Sequence, residues 1–383
     1  MDSSNDSELY VSDPIYSKEG VKGHTNYTLN GSRIQGPLIR RYKDFDALRK
    51  KLVERWPGVF IPNIPHKKKV GNKGKRTIAM RVKMINRFLK KLSKLEYLFN
   101  SEEMDLFLQN TSSVTKTLEG IKLESYEDLL KKYTSAFTDY DENFDVNSGK
   151  EEQVKFIKKI DEVYPKIKAF RSIVLHAKER YKKEQDNYLA VINMLSLYEK
   201  ETVNHFVNND ENKLVFFNMK NEELCKNISN AHEQVINPYD RLYDAITEDY
   251  LSIEAMKEAL ESLKNLQDTY NKLNKNINST NNELNELQTG KISVKSIFKK
   301  KEKQINKLTD KKEEKEKEIN DLGEIIKIAT FNMQNTIENF KTTSLENYYA
   351  ELDRIDGDTE KNATIFDDLW ETVVKDKNIS EFN

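Results

Sequence analysis

The sequence predicts a small α+β domain followed by a long all-α bundle, because three of its properties change near residue 110. Residues 1–110 hold 22 Lys and Arg against 12 Asp and Glu, whereas the rest of the chain holds 41 against 52. Five of the seven prolines and seven of the twelve glycines also lie in this first segment. Beyond it, apolar residues recur at helical spacing over most of the chain. Turn-rich sheet structure is therefore expected first and long helices afterwards.

The sheet of the first domain is predicted from residues 8–43. This region contains three short segments rich in β-favouring residues, ELYVSD, HTNYTLN and PLIRRY. Glycine, asparagine and proline separate the segments, as turns require. The pattern predicts a three-stranded antiparallel meander.

The helices of the first domain are predicted from capping residues and apolar spacing. Asp44 is the expected N-cap of a first helix, whose apolar face carries Phe45, Leu48, Leu52 and Trp56. A second helix is expected over about residues 77–92, and a short third one starts at Ser101. Between the first two lies IPNIPHKKKVGNKGKR, whose prolines, glycines and six Lys and Arg residues predict an exposed cationic loop.

A connector with one amphipathic helix is predicted to follow the first domain, which we place at residues 1–115. The connector spans 116–147, and Lys131 and Lys132 lie beside its apolar stripe. That stripe carries Tyr126, Leu129, Leu130, Tyr133, Phe137 and Tyr140. Such a helix either lies in a membrane interface or docks onto neighbouring helices, and periodicity does not choose between the two.

Residues 148–383 are predicted to form three long antiparallel helices in an elongated coiled-coil bundle. The first helix starts with a capping box of Ser148 and Glu151 and carries an apolar seam of nearly sixty residues. The second helix is expected over about 214–287 and the third over about 302–374. The polar segment NNDEN and the segment TGKISVKSIFKKK separate them.

A dimer is predicted from the number of apolar side chains in the bundle. More aromatic residues lie on the apolar stripes than three helices cover by themselves, among them Phe216, Phe217, Tyr239, Phe340, Tyr348, Tyr349 and Trp370. Pro165 and Pro238 lie inside helical patterns, where a proline kinks a helix. Bent helices in a dimer predict a curved rod.

Several function classes are disfavoured by what the sequence lacks. Cys225 is the single cysteine, so neither an intrachain disulfide nor a multi-cysteine metal site is expected. The five histidines are scattered, and we find no phosphate-binding glycine loop, HExxH or nucleophile elbow, so we expect no enzyme, metal or cofactor. No run of eighteen apolar residues occurs and the N-terminus lacks a signal pattern, so any membrane contact is expected to be peripheral.

Four motifs in order resemble the phox-homology (PX) domain of sorting nexins. They are Val11-Ser12-Asp13-Pro14, Arg40-Arg41-Tyr42-Lys43-Asp44-Phe45, Ile61-Pro62-Asn63-Ile64-Pro65-His66-Lys67, and Arg81 seven residues before Phe88. The helical remainder, with its break at 290–301 and Leu369-Trp370-Glu371 near its end, resembles the membrane-curving BAR domain that follows PX in one branch of sorting nexins.

The resemblance implies a pocket for phosphatidylinositol 3-phosphate. Arg41 would bind the 3-phosphate with its planar fork, and Tyr42 would lie under the inositol ring. Lys67 would face the 1-phosphate, although Lys68 and Lys69 beside it leave the choice of lysine open. Arg81 would bond the ring hydroxyls, unless it is an ordinary surface charge, and Arg40 is expected to point away as a supporting charge.

Two further cationic segments are candidates for membrane contact. They comprise Lys68, Lys69, Val70, Lys73, Lys75 and Arg76 in the first domain, and Lys295, Lys299, Lys300 and Lys301 between the second and third long helices. Because the first segment offers mainly Val70 for insertion, electrostatic attraction is expected to outweigh insertion.

Taken with the resemblance, these patterns predict a protein that reads phosphatidylinositol 3-phosphate and senses or generates curvature on the cytosolic face of endosomal membranes. The expected partners are anionic membranes, a second copy or a related sorting nexin, and a retromer-like cargo complex, but no nucleic acid. Three alternatives remain open: a retromer route, an autophagy-related recycling route, and neither of the two. The alternative is a coiled-coil scaffold or tether without headgroup specificity, because the helical part alone would suggest one.

Overall fold

The computed structural model describes residues 9–17, 23–65, 75–109, 113–203, 205, 221–288 and 298–374. Its chain divides into two compact units. The first comprises Met1–Glu162 and Leu251–Phe340, and the second comprises Val163–Tyr250 and Lys341–Asn383. Residues 66–74 of the predicted cationic loop (61–76), the predicted break at 208–212 and residues 289–297 of the predicted break at 289–301 lie outside the described residues.

A three-stranded antiparallel sheet opens the first unit, as predicted. It is formed by β1 (Tyr10–Ser17), β2 (His24–Asn30) and β3 (Leu38–Arg41), in that spatial order. Alternation sends one face of the sheet into the core, where Tyr27 and Leu29 are fully buried. The outer edge of β1 is covered by Asn86, whose side chain bonds both the N–H and the carbonyl of Val11 at 2.6 and 3.1 Å.

Helix α1 (Tyr42–Arg55) starts two residues before the predicted N-cap. Arg41 is the N-cap, and Asp44 is the third helical residue. The Asp44 carboxylate still serves the helix start, since it accepts the Arg41 N–H at 2.8 Å and the Thr115 hydroxyl at 2.8 Å. The prediction of Asp44 as N-cap was therefore wrong by three positions, because a carboxylate at N3 reaches back to the same end of the helix.

The remaining helices of the first domain lie close to their predicted positions. They are α2 (Lys75–Ser93), α3 (Glu96–Phe99), α4 (Glu102–Leu108) and α5 (Val114–Glu119). Ser101 caps α4 by accepting the N–H of Met104, as its position in the sequence predicted. The apolar faces of α1, α2 and α4 bury Phe45, Phe88 and Phe107 almost completely.

The amphipathic connector helix docks onto the protein. Helix α6 (Tyr126–Ala136) buries Leu129 and Tyr133, and Tyr133 stacks on Trp56 with ring centroids 5.8 Å apart. The Tyr133 hydroxyl donates to the carbonyl of Pro57 at 2.6 Å. The helix therefore uses its apolar stripe within the first unit, chiefly against the α+β domain.

The first long helix, α7 (Val146–Tyr198), begins before the predicted capping box. Asp145 provides the cap, accepting the N–H groups of Asn147 and Ser148 at 2.9 and 3.3 Å, so Ser148 is already helical. Pro165 lies inside this helix, as predicted. A π-helical turn follows at Glu199–Val203.

The predicted second long helix is two helices, α8 (Asn221–Gln234) and α9 (Pro238–Gln288). Pro238 does not kink a continuous helix, because it is the first residue of a new one, where its missing N–H has no cost. Asn237 caps that helix by accepting the Tyr239 N–H at 3.1 Å.

The last helix, α10 (Phe298–Val374), completes the predicted all-α part. In the first unit, buried residues of α9 such as Met256 and buried residues of α10 such as Leu322 are sealed from solvent. In the second unit, α7, α8 and α10 contribute to a core of Leu189, Ile192, Ala231 and Leu369. An α+β domain followed by a helical bundle is thus confirmed. Among the described residues, no helix has an apolar stretch that would cross a bilayer.

Candidate functional site

The candidate site lies where β3 ends and α1 begins, at two neighbouring arginines. Strand alternation places Arg40 and Arg41 on opposite faces of the sheet. Arg40 is only 3% exposed and donates to the carbonyls of Phe107 and Gln109, each at 2.7 Å. Burial lowers the pKa of the Arg40 guanidinium, while the charge of Asp44 acts in the opposite direction. Arg40 therefore ties the sheet to the C-terminal end of α4 and is not available to a ligand.

Arg41 has the opposite character. Its side chain is partly exposed, and its backbone is extended at the helix start. The nearby Asp44 carboxylate is already used by the Arg41 backbone N–H and the Thr115 hydroxyl. Within the described residues, the Arg41 guanidinium forms no ion pair, so its donors remain available to an anion.

Tyr42 is held in one orientation by both ends of its side chain. The residue is 9% exposed, and its hydroxyl donates to the carbonyl of Pro65. Burial raises the pKa of Tyr42 to about 12, the charge of Asp46 acts in the same direction, and Arg81 opposes both. The Arg81 guanidinium lies over the Tyr42 ring, 4.9 Å from its centroid.

Arg81 is not an ordinary surface charge, since it is 8% exposed although it lies on α2. Besides Tyr42 it approaches Tyr27, whose pKa is raised by burial and lowered in part by the Arg81 charge. The fold thus brings three of the four predicted pocket residues to one corner, where α2 meets the β3–α1 junction.

The other predicted contact residues fall mostly outside the described residues. Lys67, Lys68, Lys69, Val70, Lys73 and Lys295 lie there. Lys75 and Arg76 lie in the first turn of α2, and Lys299, Lys300 and Lys301 lie in the first turn of α10, but their side chains are not described. Their membrane contacts stay predictions.

Sequence reasoning missed Arg49 as a neighbour of this site. Arg49 lies two helical turns after Tyr42, and its Nε donates to the carbonyl of Pro62 at 3.0 Å. Its positive charge is close enough to lower the pKa of Tyr42 in part. The seven-residue spacing puts Arg49 on the same face of α1 as Tyr42, which is the signal that could have identified it.

Comparison with known proteins relates the first domain to a known family. The family model of the PX domain matches residues 35–111. Sorting nexin 1 of Arabidopsis thaliana is 34% identical over 108 residues, which is 26% of this chain and 27% of that protein. Sorting nexin-18 of Mus musculus is 38% identical over 53 residues, 14% of this chain and 9% of that protein. The matches thus span about a quarter or less of these curated relatives.

A solved structure extends the likeness to the whole chain. The cryo-EM structure of the SNX-BAR Mvp1 tetramer aligns with 96% of this chain and 99% of its own, with a TM-score of 0.51 and 16% identity. At that identity the likeness concerns the fold. The chain therefore contains a segment, residues 35–111, that matches the PX domain, and its fold is similar to that of the SNX-BAR Mvp1 chain.

Proposed function

We propose that this protein is a peripheral membrane protein that binds phosphatidylinositol 3-phosphate through Arg41, Tyr42, Lys67 and Arg81. The observation that carries the proposal is the contrast at the β3–α1 junction. Arg40 is consumed by backbone carbonyls, whereas Arg41 is partly exposed and without an ion pair among the described residues, beside the preformed Tyr42–Arg81 pair.

The chemistry of the pocket suits an inositol ring with a 3-phosphate. The Arg41 fork donates two hydrogen bonds to one phosphate group, and charge-assisted bonds of this kind are the strong ones. The Tyr42 side chain, fixed by Pro65, holds the Arg81 guanidinium over its ring, and the donors of Arg81 suit ring hydroxyls. A pocket that is ordered before binding loses little entropy when it is filled.

The membrane surface adds to this specific contact. The cationic residues at 67–76 and 295–301 approach an anionic leaflet, where each contributes about 1 kcal/mol that salt screens. The BAR-type helical part supplies self-association and a curvature-sensitive surface, which multiplies modest headgroup affinities through avidity. The solved SNX-BAR Mvp1 structure is that of a tetramer.

The cellular role that follows from the proposal is sorting or recycling of membrane proteins at the cytosolic face of endosomes. The protein pairs with itself or with a related sorting nexin, and a retromer-like cargo complex is one partner to be tested. Phosphatidylinositol 3-phosphate would specify the membrane, and the helical part would respond to its curvature.

Liposome flotation tests the headgroup assignment. Wild type, Arg41→Ala and Lys43→Ala are compared on vesicles with phosphatidylinositol 3-phosphate and on matched vesicles with unphosphorylated phosphatidylinositol. Lys43 is the matched control because it is exposed, two residues away, and carries the same charge. We expect Arg41→Ala to weaken binding about 10- to 100-fold, the value of a charge-assisted bidentate contact, and Lys43→Ala to weaken it less than about threefold.

Two outcomes would overturn the assignment. Equal losses for the two variants would show that only net charge matters, and equal flotation of wild type with both vesicle types would favour a scaffold without headgroup specificity. Binding that stays constant over a series of salt concentrations would contradict the electrostatic part of the proposal.

A further inference from the structure

The proline-rich turn at residues 61–65 is held by side chains from two different parts of the first unit. The carbonyl of Pro65 accepts the Tyr42 hydroxyl, and the carbonyl of Pro62 accepts Arg49 Nε at 3.0 Å. Between them, Asn63 Nδ2 lies 3.4 Å from a carboxylate oxygen of Glu254, which belongs to helix α9. The turn is therefore attached to α1 and to the helical bundle.

The turn has little regular structure of its own to fix its shape. Pro62 and Pro65 have no N–H, and the Ile64 N–H is taken by the Asn63 side chain at 2.9 Å. Ile61 and Ile64 are buried and keep the turn on the domain, but apolar packing does not define where each carbonyl points. The side-chain hydrogen bonds supply that definition.

The guanidinium group of Arg49 contacts both the turn and the bundle. While its Nε bonds Pro62, its Nη2 forms an ion pair with the carboxylate of Glu258 on α9. The Arg49 side chain is 11% exposed and that of Glu258 is 43% exposed. Because a guanidinium is flat and rigid, fixing Nη2 at Glu258 also fixes the direction of the Nε–H toward Pro62.

A further contact holds α9 against the segment that precedes the turn. The N–H of Gly58, four residues before Pro62, donates to the Ser262 hydroxyl at 3.1 Å. Gly58 has a φ of +80°, and a Cβ there would lie 3.2 Å from Leu263 of α9. A glycine thus permits both the backbone conformation and the close approach of this helix.

We infer that Arg49 and Glu258 are positioning residues of the headgroup site, so that helix α9 of the bundle sets the geometry of the turn that holds Tyr42. The inference rests on the proposed function. Glu258 holds Arg49, Arg49 holds Pro62, and the turn that ends at Pro65 holds the Tyr42 hydroxyl beside Arg41.

The test uses the full-length chain and two substitutions on the same helix, Glu258→Gln and Glu261→Gln. Glu261 is the matched control, because it is exposed three residues away and loses the same charge without touching the turn. The probe is the soluble headgroup inositol 1,3-bisphosphate, measured by titration calorimetry, which removes membrane avidity from the comparison.

We expect Glu258→Gln to bind the headgroup about three- to tenfold more weakly, the value of one hydrogen bond, and Glu261→Gln to bind within twofold of wild type. Long-range electrostatics predicts the opposite sign, since removing a carboxylate favours anion binding at both positions. Weakening at Glu258 alone therefore reports positioning rather than charge.

Hydrogen exchange supplies a second readout that does not depend on the ligand. In Glu258→Gln, the amides of Ile61 and Asn63 should exchange faster than in wild type and in Glu261→Gln. The salt dependence of headgroup binding should keep its slope, because no phosphate contact is lost.

The two levels of the proposal fail in different ways. If wild type binds the headgroup and Glu258→Gln binds equally well with unchanged exchange at the turn, the positioning role is wrong and the headgroup site stands. If wild type binds no headgroup, the proposed function is overturned and the positioning role falls with it.

Discussion

Removing Arg40 should destabilise the fold much more than removing Arg41. The two are adjacent in a strand, which places their side chains on opposite faces of the sheet. Arg40 satisfies the carbonyls of Phe107, Gln109 and Ile39 from a buried position. Arg40→Ala leaves those carbonyls unpaired next to a cavity, so we expect it to lower the free energy of unfolding by about 2–4 kcal/mol.

Urea denaturation of the two single variants measures this difference. Arg41→Ala removes a partly exposed side chain that has no ion pair among the described residues, and should change the free energy of unfolding by less than about 0.5 kcal/mol. Comparable destabilisation by both variants would contradict the separation of a structural arginine from a ligand-binding one.

A second prediction at the residue scale concerns alkaline pH and Tyr42. Burial raises the pKa of Tyr42 in the folded state to about 12, whereas its unfolded pKa is about 10. The resulting contribution to the free energy of unfolding is fully present below about pH 10. It is lost as the pH rises from about 10 to 12, where the unfolded chain releases the proton first.

Tyr42→Phe isolates this effect. The variant loses the hydrogen bond to Pro65, so it should be less stable than wild type at neutral pH by about 0.5–1.5 kcal/mol. Since phenylalanine does not titrate, the stability difference between the two proteins should shrink between pH 10 and 12. A difference that is constant or grows across that range would show that Tyr42 is not protected from ionisation.

At the scale of elements, the connector helix α6 shows how a membrane-binding pattern is used for docking instead. Tyr133 is fully buried, and its hydroxyl bonds Pro57 at the end of α1. Lys132 lies 4.1 Å from the centre of the Trp56 ring and 3.2 Å from a carboxylate oxygen of Glu124. Lys132, which lies beside the apolar stripe, thus pairs with Glu124 within the protein. Its pKa is lowered, and burial is the largest cause.

Substitutions in α6 test this docking. Tyr133→Ala should lower the free energy of unfolding by about 3–5 kcal/mol, the cost of a buried aromatic side chain. Thr134→Ala, one residue on and exposed, should change it by less than about 0.5 kcal/mol. Thermal unfolding of both variants gives the comparison, and a Tyr133 variant as stable as wild type would indicate that the helix is normally undocked.

Regular elements were predictable from the sequence because strands and helices depend on local periodicity. The three strands, α2 and α10 lie where spacing of apolar residues predicts them. Errors occurred at helix starts, because an aspartate can bond N–H groups there from more than one position. Asp44 does so from the third residue of α1, whereas Asp145 does so from the residue before α7. At Pro238, apolar residues continue at helical spacing on both sides of the break, so periodicity alone did not reveal it.

The site was only partly predictable for a different reason. Arg41, Tyr42 and Arg81 occur in recognisable motifs, so sequence alone pointed to them. Arg49 and Glu258 are 209 positions apart and contact only because α9 packs beside the turn. No local pattern encodes such a pair, and a single sequence offers no signal for it.

On the scale of the whole molecule, apolar side chains of the second unit are exposed among the residues that the structure describes. On α7, Val163, Phe170 and Ile173 are 44%, 47% and 64% exposed. On α10, the exposed large side chains are Leu345, Tyr348, Tyr349 and Leu352. Exposed apolar residues in such numbers on two helices are typical of an association surface. The sequence predicted an excess of aromatic residues here, and of those it named, Tyr348 and Tyr349 are 58% and 59% exposed.

Self-association through these side chains is the last prediction. A chain of 44.9 kDa should behave as a dimer of twice that mass at micromolar concentration in multi-angle light scattering. Tyr349→Asp places a charge in the centre of the uncovered α10 segment, where pairing would desolvate it, so the variant should shift toward the monomer. Thr343→Asp, an exposed position on the same helix, should leave the mass unchanged.

Avidity for vesicles should fall with the dimer while affinity for the soluble headgroup stays constant, because the proposed headgroup pocket belongs to each chain. A wild-type monomer across the micromolar range would contradict the dimer and, with it, the avidity on which membrane recruitment depends.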